Sequence, residues 1–401
     1  MNHNLWLLTL CQGLFLTNNV VFIAINGLVG LQLAPYGYLS TLPVMGYVVG
    51  GALSTPLVAR SQARWGRSVS FQIGLGVAML SALLCAVAVT TRQFWLLCLA
   101  TLVAGYYSAN GQLYRFAGAE LAAPAAREKA MSLVLAGGLI GAIAGPNLAN
   151  HSRGWSSVPF ASTYLALMGV ALLAWLCMRA IRFDAPASAA PTASATAAPP
   201  PPAGPGRSVA QLLREPAFVV AAIGAALGYG VMNLLMAATP LAMQVCGYDF
   251  ADAALVLEWH VIGMFAPGFV TGHLIQRFGV LRVMGAGVVL NLGCVAVALS
   301  GVELHHFTLA LLLLGVGWNF LFTGSTALAM QAYRPEEKDR AQAAINFGVF
   351  ATMAATSFAS GALVTTQGWA LLNLGSLLPV ALTGAALLWL GAQRARATRG
   401  A

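Results

Sequence analysis

Twelve long apolar runs constrain this 401-residue chain more than any other feature of its sequence. Each run has about the 20 residues that an α-helix needs to cross a bilayer, and the runs are too long and too uniformly apolar for barrel strands. Hydrophobic residues make up 59% of the chain and charged residues 8%, which excludes a soluble domain. The sequence therefore predicts an all-α integral membrane protein with twelve transmembrane helices. The runs lie near residues 5–34, 37–59, 69–90, 94–116, 131–150, 158–181, 217–243, 253–275, 281–301, 307–330, 341–364 and 370–392.

The basic residues predict how the chain is oriented in its membrane. If both termini are cytoplasmic, every one of the 20 Lys and Arg residues except Arg92 and Arg153 falls on the cytoplasmic side. This asymmetry is what the positive-inside rule requires. The net charge of +9 is spread over connecting loops rather than gathered in one patch, so it does not indicate a nucleic-acid partner.

The two halves of the chain repeat. The segment Arg64–Arg67 follows the second run, and the similar segment Arg277–Gly279 follows the eighth, 213 positions later. Residues 124–130 match residues 335–341 at an offset of 211. Parallel six-helix repeats of this kind surround a central binding site. We therefore predict bundles at residues 1–183 and 217–401, joined by a cytoplasmic linker at 184–216 whose Ala- and Pro-rich part cannot bury a core.

Two pairs of soft metal ligands fall on consecutive predicted spans. Met232 and Met236 are four residues apart, as are His260 and Met264, so each pair shares one helix face. Thioether sulfur and imidazole nitrogen suit Cu(I), and both pairs are predicted to lie near the middle of the membrane. The alternative is that methionine and a lone histidine simply fill the core.

Three neighbouring residues extend this hypothesis. Met243 and Cys246 continue the face of Met232 toward the outside and are candidate entry ligands for the metal, although core packing explains them as well. Glu258 is the carboxylate most clearly within a span and is the candidate for proton coupling, with solvation near the outer surface as the alternative. Proton coupling is optional for a cation, which gains about 2.3 kcal/mol per 100 mV on entering a negative interior.

The chain resembles the major facilitator superfamily over nearly its whole length. The loop signature of that family, Gly-x-x-x-Asp-Arg-x-Gly-Arg, is matched at residues 59–67, with Arg64, Gly66 and Arg67 in place. A second copy at residues 272–279 retains Arg277 and Gly279. The resemblance implies that these five residues belong to a cytoplasmic gate. The acidic residue of the signature is missing from both copies, so we expect the gate to be latched differently.

Within that superfamily, the Met and His pairs resemble those of the CcoA-like transporter (CalT) family of bacterial copper importers. The resemblance implies that Met232, Met236, His260 and Met264 handle the metal, with copper as substrate and no permanently bound cofactor. It also implies a role in the bacterial inner membrane, supplying copper to a cytoplasmic acceptor for assembly of a haem-copper cytochrome oxidase. We expect the transporter to be a monomer. The stretches 114–117, 132–138 and 317–322 resemble a wider subfamily that includes riboflavin importers.

Two other functions compete with copper import. An importer or antiporter of riboflavin or another organic solute would rely on aromatic and amide groups such as Phe15, Asn19, Trp318 and Asn319, leaving the Met and His pairs as packing. A membrane receptor could instead signal through the linker. An enzyme is not expected, because the sequence shows no nucleophile with a base partner and no phosphate loop.

Overall fold

The computed structural model describes residues 3–123, 126–183 and 206–399, and within these ranges the chain is helical apart from short connections. Uniformly apolar segments dictate this, because a helix leaves no backbone group unpaired in lipid. The helices are α1 (His3–Leu33), α2 (Leu42–Thr90), α3 (Phe94–Gly111), α4 (Tyr114–Glu120), α5 (Arg127–Ala136), α6 (Gly138–Ser152), α7 (Ala161–Ala180), α8 (Val209–Leu212), α9 (Pro216–Val245), α10 (Phe250–Phe265), α11 (Gly268–Phe278), α12 (Val280–Ser300), α13 (Leu304–Ala332), α14 (Lys338–Thr366) and α15 (Gly368–Arg399).

The described residues form nine helices long and apolar enough to cross a membrane, or ten if the bent pair α10–α11 counts as one span. The all-α membrane fold is thus confirmed, and local breaks account for the smaller number. The second and third predicted runs fall together in one span of 54 residues, Gly37–Thr90, although the backbone of Gly66 inside it is not helical. The fourth run is interrupted between α3 and α4. The eighth bends by 42° next to Pro267, which has no amide hydrogen to donate.

The chain forms two groups of helices, α1 to α7 and α8 to α15. Residues 184–205 of the predicted linker lie outside the described residues. Helix α8 follows them and begins at a capping box, in which the Ser208 hydroxyl accepts from the Gln211 amide at 3.3 Å and the Gln211 side chain accepts from the Ser208 amide at 2.8 Å. Helix α9 then starts at Pro216, a residue that suits the first turn because its missing donor is not needed there.

Small residues let the helices within each half approach closely. A Cβ atom at Gly141 of α6 would lie 2.5 Å from the Cβ of Leu16 on α1, and one at Gly105 of α3 would lie 2.2 Å from the amide of Gly51 on α2. Neither contact leaves room for a side chain.

The two halves meet at one end of the bundle. We call the end that carries Phe183 and Gly206 the terminal end, and the opposite end the distal end. In the described residues, the side-chain hydrogen bonds and ion pairs that join the halves lie at the distal end. They connect Asn147 to Glu258 at 3.0 Å, Arg153 to Asp249 at 4.0 Å, and the Thr41 hydroxyl to the Phe358 carbonyl at 3.3 Å and the Gly361 amide at 3.0 Å.

Candidate functional site

A cavity of about 250 Å³ lies between the two halves. Helices α1 to α5 contribute one side of its lining, and helices α9, α10, α13 and α14 contribute the other. Solute carriers built from two repeats bind their cargo at such an interface. Because both halves supply lining side chains, a movement of one half against the other would reshape the cavity.

An aromatic wall, formed by Tyr229, Trp318 and Phe322, covers one side of the cavity. The rings of Trp318 and Phe322 are stacked, with centroids 5.2 Å apart and an angle of 9° between their planes, because the two residues are four positions apart on α13. Tyr229 meets both rings edge-on, at 5.3 and 5.4 Å. Such a wall offers a flat apolar surface to a planar heteroaromatic ring.

Polar side chains with unsatisfied hydrogen-bonding atoms also line the cavity. Among the described residues, Gln12 Oε1, Arg115 Nε and Trp318 Nε1 are shielded from solvent and have no hydrogen-bond partner. Buried polar atoms of this kind cost free energy unless they are paired, so their presence in a cavity points to a polar ligand. Together they offer two donors and one acceptor.

Arg115 is the charged residue of the described cavity lining, which contains no Asp or Glu. Its guanidinium lies 4.8 Å from the ring centroid of Phe116. Arg115 was not among the candidate residues identified from the sequence. A residue of α4 reaches the cavity because the interruption after α3 redirects the chain.

The structure brings most of the predicted organic-solute residues to this cavity. Phe15, Asn19 and Trp318 line it. Asn319 does not, since its amide nitrogen donates to the Met264 carbonyl at 2.7 Å and its oxygen accepts from the Thr271 hydroxyl at 2.7 Å. Asn319 therefore ties α13 to the bend between α10 and α11, where Pro267 leaves the backbone incompletely paired.

Only three of the four predicted copper ligands lie together at the cavity. Met232, Met236 and Met264 line the cavity, together with Met353, which the sequence did not single out. His260 is fully buried but is not in the described lining, because its ring packs toward α13 and its Nδ1 lies 2.7 Å from the Leu311 carbonyl. Gly315 permits this close approach, since a Cβ there would lie 2.4 Å from the His260 carbonyl.

The two candidate entry ligands, Met243 and Cys246, have different surroundings. Met243 is fully buried within α9 and is not part of the described cavity lining. Cys246 ends the same helix and is exposed. Pro240 lies between them and the Met pair, inside α9. Although these residues share one helix face in the sequence pattern, they do not form a continuous row of sulfur ligands leading to the cavity.

Glu258 takes part in the distal contact between the halves rather than in the cavity. Its carboxylate accepts a hydrogen bond from Asn147 of α6 at 3.0 Å. Near it, Arg153 lies over the ring of Phe250 at 5.5 Å, and Phe160 meets that ring edge-on at 5.2 Å. The structure thus assigns Glu258 a position in the contact that closes the distal end.

The two predicted gate segments have the same backbone geometry. Gly66 and Gly279 both have a positive φ, of 77° and 88°, which favours glycine over any residue with a Cβ. Arg64 and Arg277 each lie over the aromatic ring of the next residue, at 5.2 and 5.3 Å. The repeat is therefore present in the structure as well as in the sequence.

Arg67 makes the ion pair of the first gate segment. It binds the Glu120 carboxylate through two guanidinium nitrogens and donates to the Gln62 side chain at 3.1 Å. Sequence reasoning missed Glu120, which is 53 positions away and carries no local signal. This pair lies within one half and supplies an acidic partner that the loop signature itself lacks.

Comparisons with known proteins agree with this architecture. Residues 5–267 match the family model of the Major Facilitator Superfamily. The chain is 35% identical over 373 residues to the riboflavin transporter RfnT of Brucella anthropi, covering 92% of this chain and 91% of that protein. Among solved structures, it is similar to a bacterial homologue of the iron transporter ferroportin in an inward-facing state, with a TM-score of 0.70, 14% identity and coverage of 97% and 99%.

A second solved structure has the same fold. A bacterial homologue of the human lysosomal transporter Spinster, in an inward-facing and occupied conformation, matches with a TM-score of 0.71 and 14% identity over 96% of this chain and 95% of that one. At such low identity, these two structures establish the fold alone. The expectation that the chain is not an enzyme is confirmed by its family rather than by any feature missing from the cavity. The chain belongs to the Major Facilitator Superfamily and is a membrane transporter.

Proposed function

We propose that this transporter carries riboflavin, or a solute with the same combination of a planar heteroaromatic ring and polar substituents, into the bacterial cytoplasm. The observation that carries the proposal is the pairing of the aromatic wall with the unsatisfied atoms of Gln12, Arg115 and Trp318 in one cavity. The relative that is 35% identical and named as a riboflavin transporter supports the same substrate class.

The wall and the polar atoms have complementary roles. A planar ring would stack against Trp318 and Phe322, a type of contact that contributes about 1–3 kcal/mol when bases stack on aromatic side chains. Arg115 and Gln12 would bind the acceptors and donors on the ring edge or side chain. Because the lining combines one cation with amides and aromatic rings, it suits a polar organic molecule better than a bare ion, whose ligands must converge within a few ångströms.

The proposed transport cycle uses the asymmetric contacts between the halves. With both termini in the cytoplasm, as the basic residues predict, the distal end faces outward and its contacts close the cavity on that side. Solute would enter after these contacts break and leave when they re-form. A neutral solute gains nothing from the membrane potential, so accumulation would need a second driving force, and Glu258 remains the proposed proton carrier.

Copper import is the second candidate, favoured by the sulfur atoms of Met232, Met236, Met264 and Met353 around the same cavity. His260 is not part of the described cavity lining, and this weighs against the four-residue site. Its hydrogen bond to Leu311 does not, because it uses Nδ1, and Nε2 has no hydrogen-bond partner in the described part of the chain. Delivery to a cytoplasmic copper acceptor belongs to this second candidate.

One uptake experiment tests both functions. Radiolabelled riboflavin and radioactive copper are offered separately to cells lacking their own importers, which express the intact chain, Trp318→Ala or Met236→Ala at matched membrane abundance. Trp389→Ala, an exposed tryptophan on α15, is the control. We expect riboflavin uptake that Trp318→Ala lowers at least about 10-fold. Copper uptake lost in Met236→Ala, without riboflavin uptake, would overturn the proposal in favour of copper.

A further inference from the structure

A cluster of metal-binding side chains lies where the connection from α12 enters the first turn of α13, outside the lining of the central cavity. Glu303, His305 and His306 each offer one ligand atom, and these atoms lie within 4.8 Å of one another. The His305 Nδ1 is 3.2 Å from the Glu303 carboxylate, and the two imidazole rings have centroids 4.0 Å apart. The cluster lies at the distal end.

The backbone around this cluster is fixed by contacts from other residues. The Tyr248 hydroxyl donates to the Val302 carbonyl at 3.2 Å, and the His306 amide donates to the Glu303 carbonyl at 2.9 Å. Gly301 makes room for the His306 ring, because a Cβ atom there would lie 2.5 Å from its Cε1. The histidine pair is thus placed by tertiary packing as well as by sequence adjacency.

His306 supplies an independent observation. Its Nδ1 is shielded from solvent and has no hydrogen-bond partner in the described part of the chain. A buried imidazole nitrogen normally finds a partner, since leaving it unpaired costs free energy. A metal ion shared with His305 and Glu303 would satisfy it.

We propose that Glu303, His305 and His306 bind a divalent transition-metal ion such as Zn²⁺ at the distal surface. Two imidazoles and a carboxylate are a ligand set that Zn²⁺ uses, and water would complete the coordination. Tetrahedral ligands at about 2.0–2.1 Å from zinc lie roughly 3.3 Å from one another, so small side-chain rotations bring the three atoms into range. The carboxylate makes this ligand set harder than the methionine sulfurs of the cavity.

The test is Zn²⁺ binding by equilibrium dialysis, with the full-length protein purified in detergent without a polyhistidine tag and stripped of metal by a chelator. We expect one ion per chain. His305→Ala and His306→Ala should each weaken binding at least about 10-fold. His273→Ala removes an exposed histidine of α11, and Cys246→Ser removes the exposed thiol that follows α9. Neither substitution should change the affinity for Zn²⁺.

Gly301→Ala keeps all three ligands and is a second, independent variant. Its new Cβ would displace the His306 ring, so zinc binding should weaken although no ligand is removed. Size-exclusion profiles matching the intact protein exclude misfolding. The proposal fails if the intact protein binds no Zn²⁺, if both histidine variants bind it as the intact protein does, or if binding is lost only in Cys246→Ser.

Discussion

Glu337 binds the guanidinium of Arg207 through two hydrogen bonds, of 2.9 and 2.8 Å, although the two residues are 130 positions apart. The backbone amides of Arg207 and Arg334 donate to the same carboxylate at 2.9 Å each. Arg340 completes the contact by donating to the carbonyls of Gly206 and Arg207. The first described residues after the predicted linker are thereby fixed to the connection between α13 and α14.

Removing the negative charge of Glu337 should loosen this attachment. Glu337→Gln keeps the size of the side chain but leaves Arg207 without its ionic partner, and breaking one member of a hydrogen-bonded pair costs more than the pair contributes. We expect the melting temperature in detergent to fall by about 2–4 °C. Glu336→Gln, at the exposed neighbouring position, is the control and should melt like the intact protein. Equal melting of both variants would contradict the prediction.

The same contact predicts a pH dependence. Hydrogen bonds from Arg207 and from the backbone lower the pKa of Glu337 from 4.5 to about 2. Because the folded-state pKa is the lower one, the carboxylate stabilises the fold fully above pH 4.5 and loses that contribution as the pH falls toward 2. The melting-temperature difference between the intact protein and Glu337→Gln should therefore be largest at neutral pH and shrink at pH 3. A melting-temperature difference that grows as the pH falls would contradict this prediction.

Gly66 and Gly279 provide a test of the repeated turn. Alanine at either position would meet no atom within 4 Å but would have to adopt a positive φ with an extended ψ, so the cost is backbone strain of about 1–3 kcal/mol. Gly76 and Gly285 also have open space around them, but they lie in helices without a positive φ. Alanine there should stabilise by about 0.5–1 kcal/mol. Thermal melting of the four variants should give opposite signs for the two pairs.

These glycines also show what the sequence could predict. Arg64–Arg67 and Arg277–Gly279 are short sequence motifs that can be recognised without knowing the fold. The structure gives their glycines, Gly66 and Gly279, the same backbone conformation. Apolar run length similarly sufficed for the all-α membrane fold. The number of spans differs because two predicted runs are joined across Gly66, α4 is separated from α3, and the chain bends next to Pro267. These features depend on backbone geometry that run length does not record.

The site was harder to predict than the fold. Spacing of four residues correctly places His260 and Met264 on neighbouring parts of one helix face, but it does not say which helix that face meets. The close approach permitted by Gly315 brings His260 to the Leu311 carbonyl, while Met264 reaches the cavity. Glu120 and Arg115 were missed for the same reason. The Arg67 that binds Glu120 is 53 positions away, and most residues that share the cavity with Arg115 are also distant in sequence.

Arg115 should determine how tightly the solute binds. Arg115→Lys keeps the charge but loses the planar fork of donors, whereas Arg115→Met removes the charge at similar length. If the guanidinium donates to acceptor atoms of the solute, uptake should fall about 10-fold or more in Arg115→Met and less in Arg115→Lys. Arg179→Met is the matched control, since its guanidinium lies over Trp175 on α7, outside the described cavity lining. Half-saturation concentrations for riboflavin uptake measure the effect. Unchanged uptake in Arg115→Met would exclude Arg115 from solute binding.

Glu258 can act as a proton carrier, as a distal contact, or as both, and two substitutions separate these roles. Glu258→Gln cannot titrate, but its amide oxygen can still accept from Asn147 as the carboxylate does at 3.0 Å. Asn147→Leu removes the donor and leaves the carboxylate able to titrate.

If Glu258 carries the coupling proton, accumulation against a gradient should be lost in Glu258→Gln. Exchange of labelled for unlabelled solute should continue, because exchange needs no net proton movement. If the residue only closes the distal end, Glu258→Gln should accumulate solute normally. Asn147→Leu should then increase labelling of a cysteine introduced at the cavity residue Ile23 by an impermeant reagent added outside, since the distal end would open more often. Normal accumulation in Glu258→Gln with unchanged labelling in Asn147→Leu would exclude both roles.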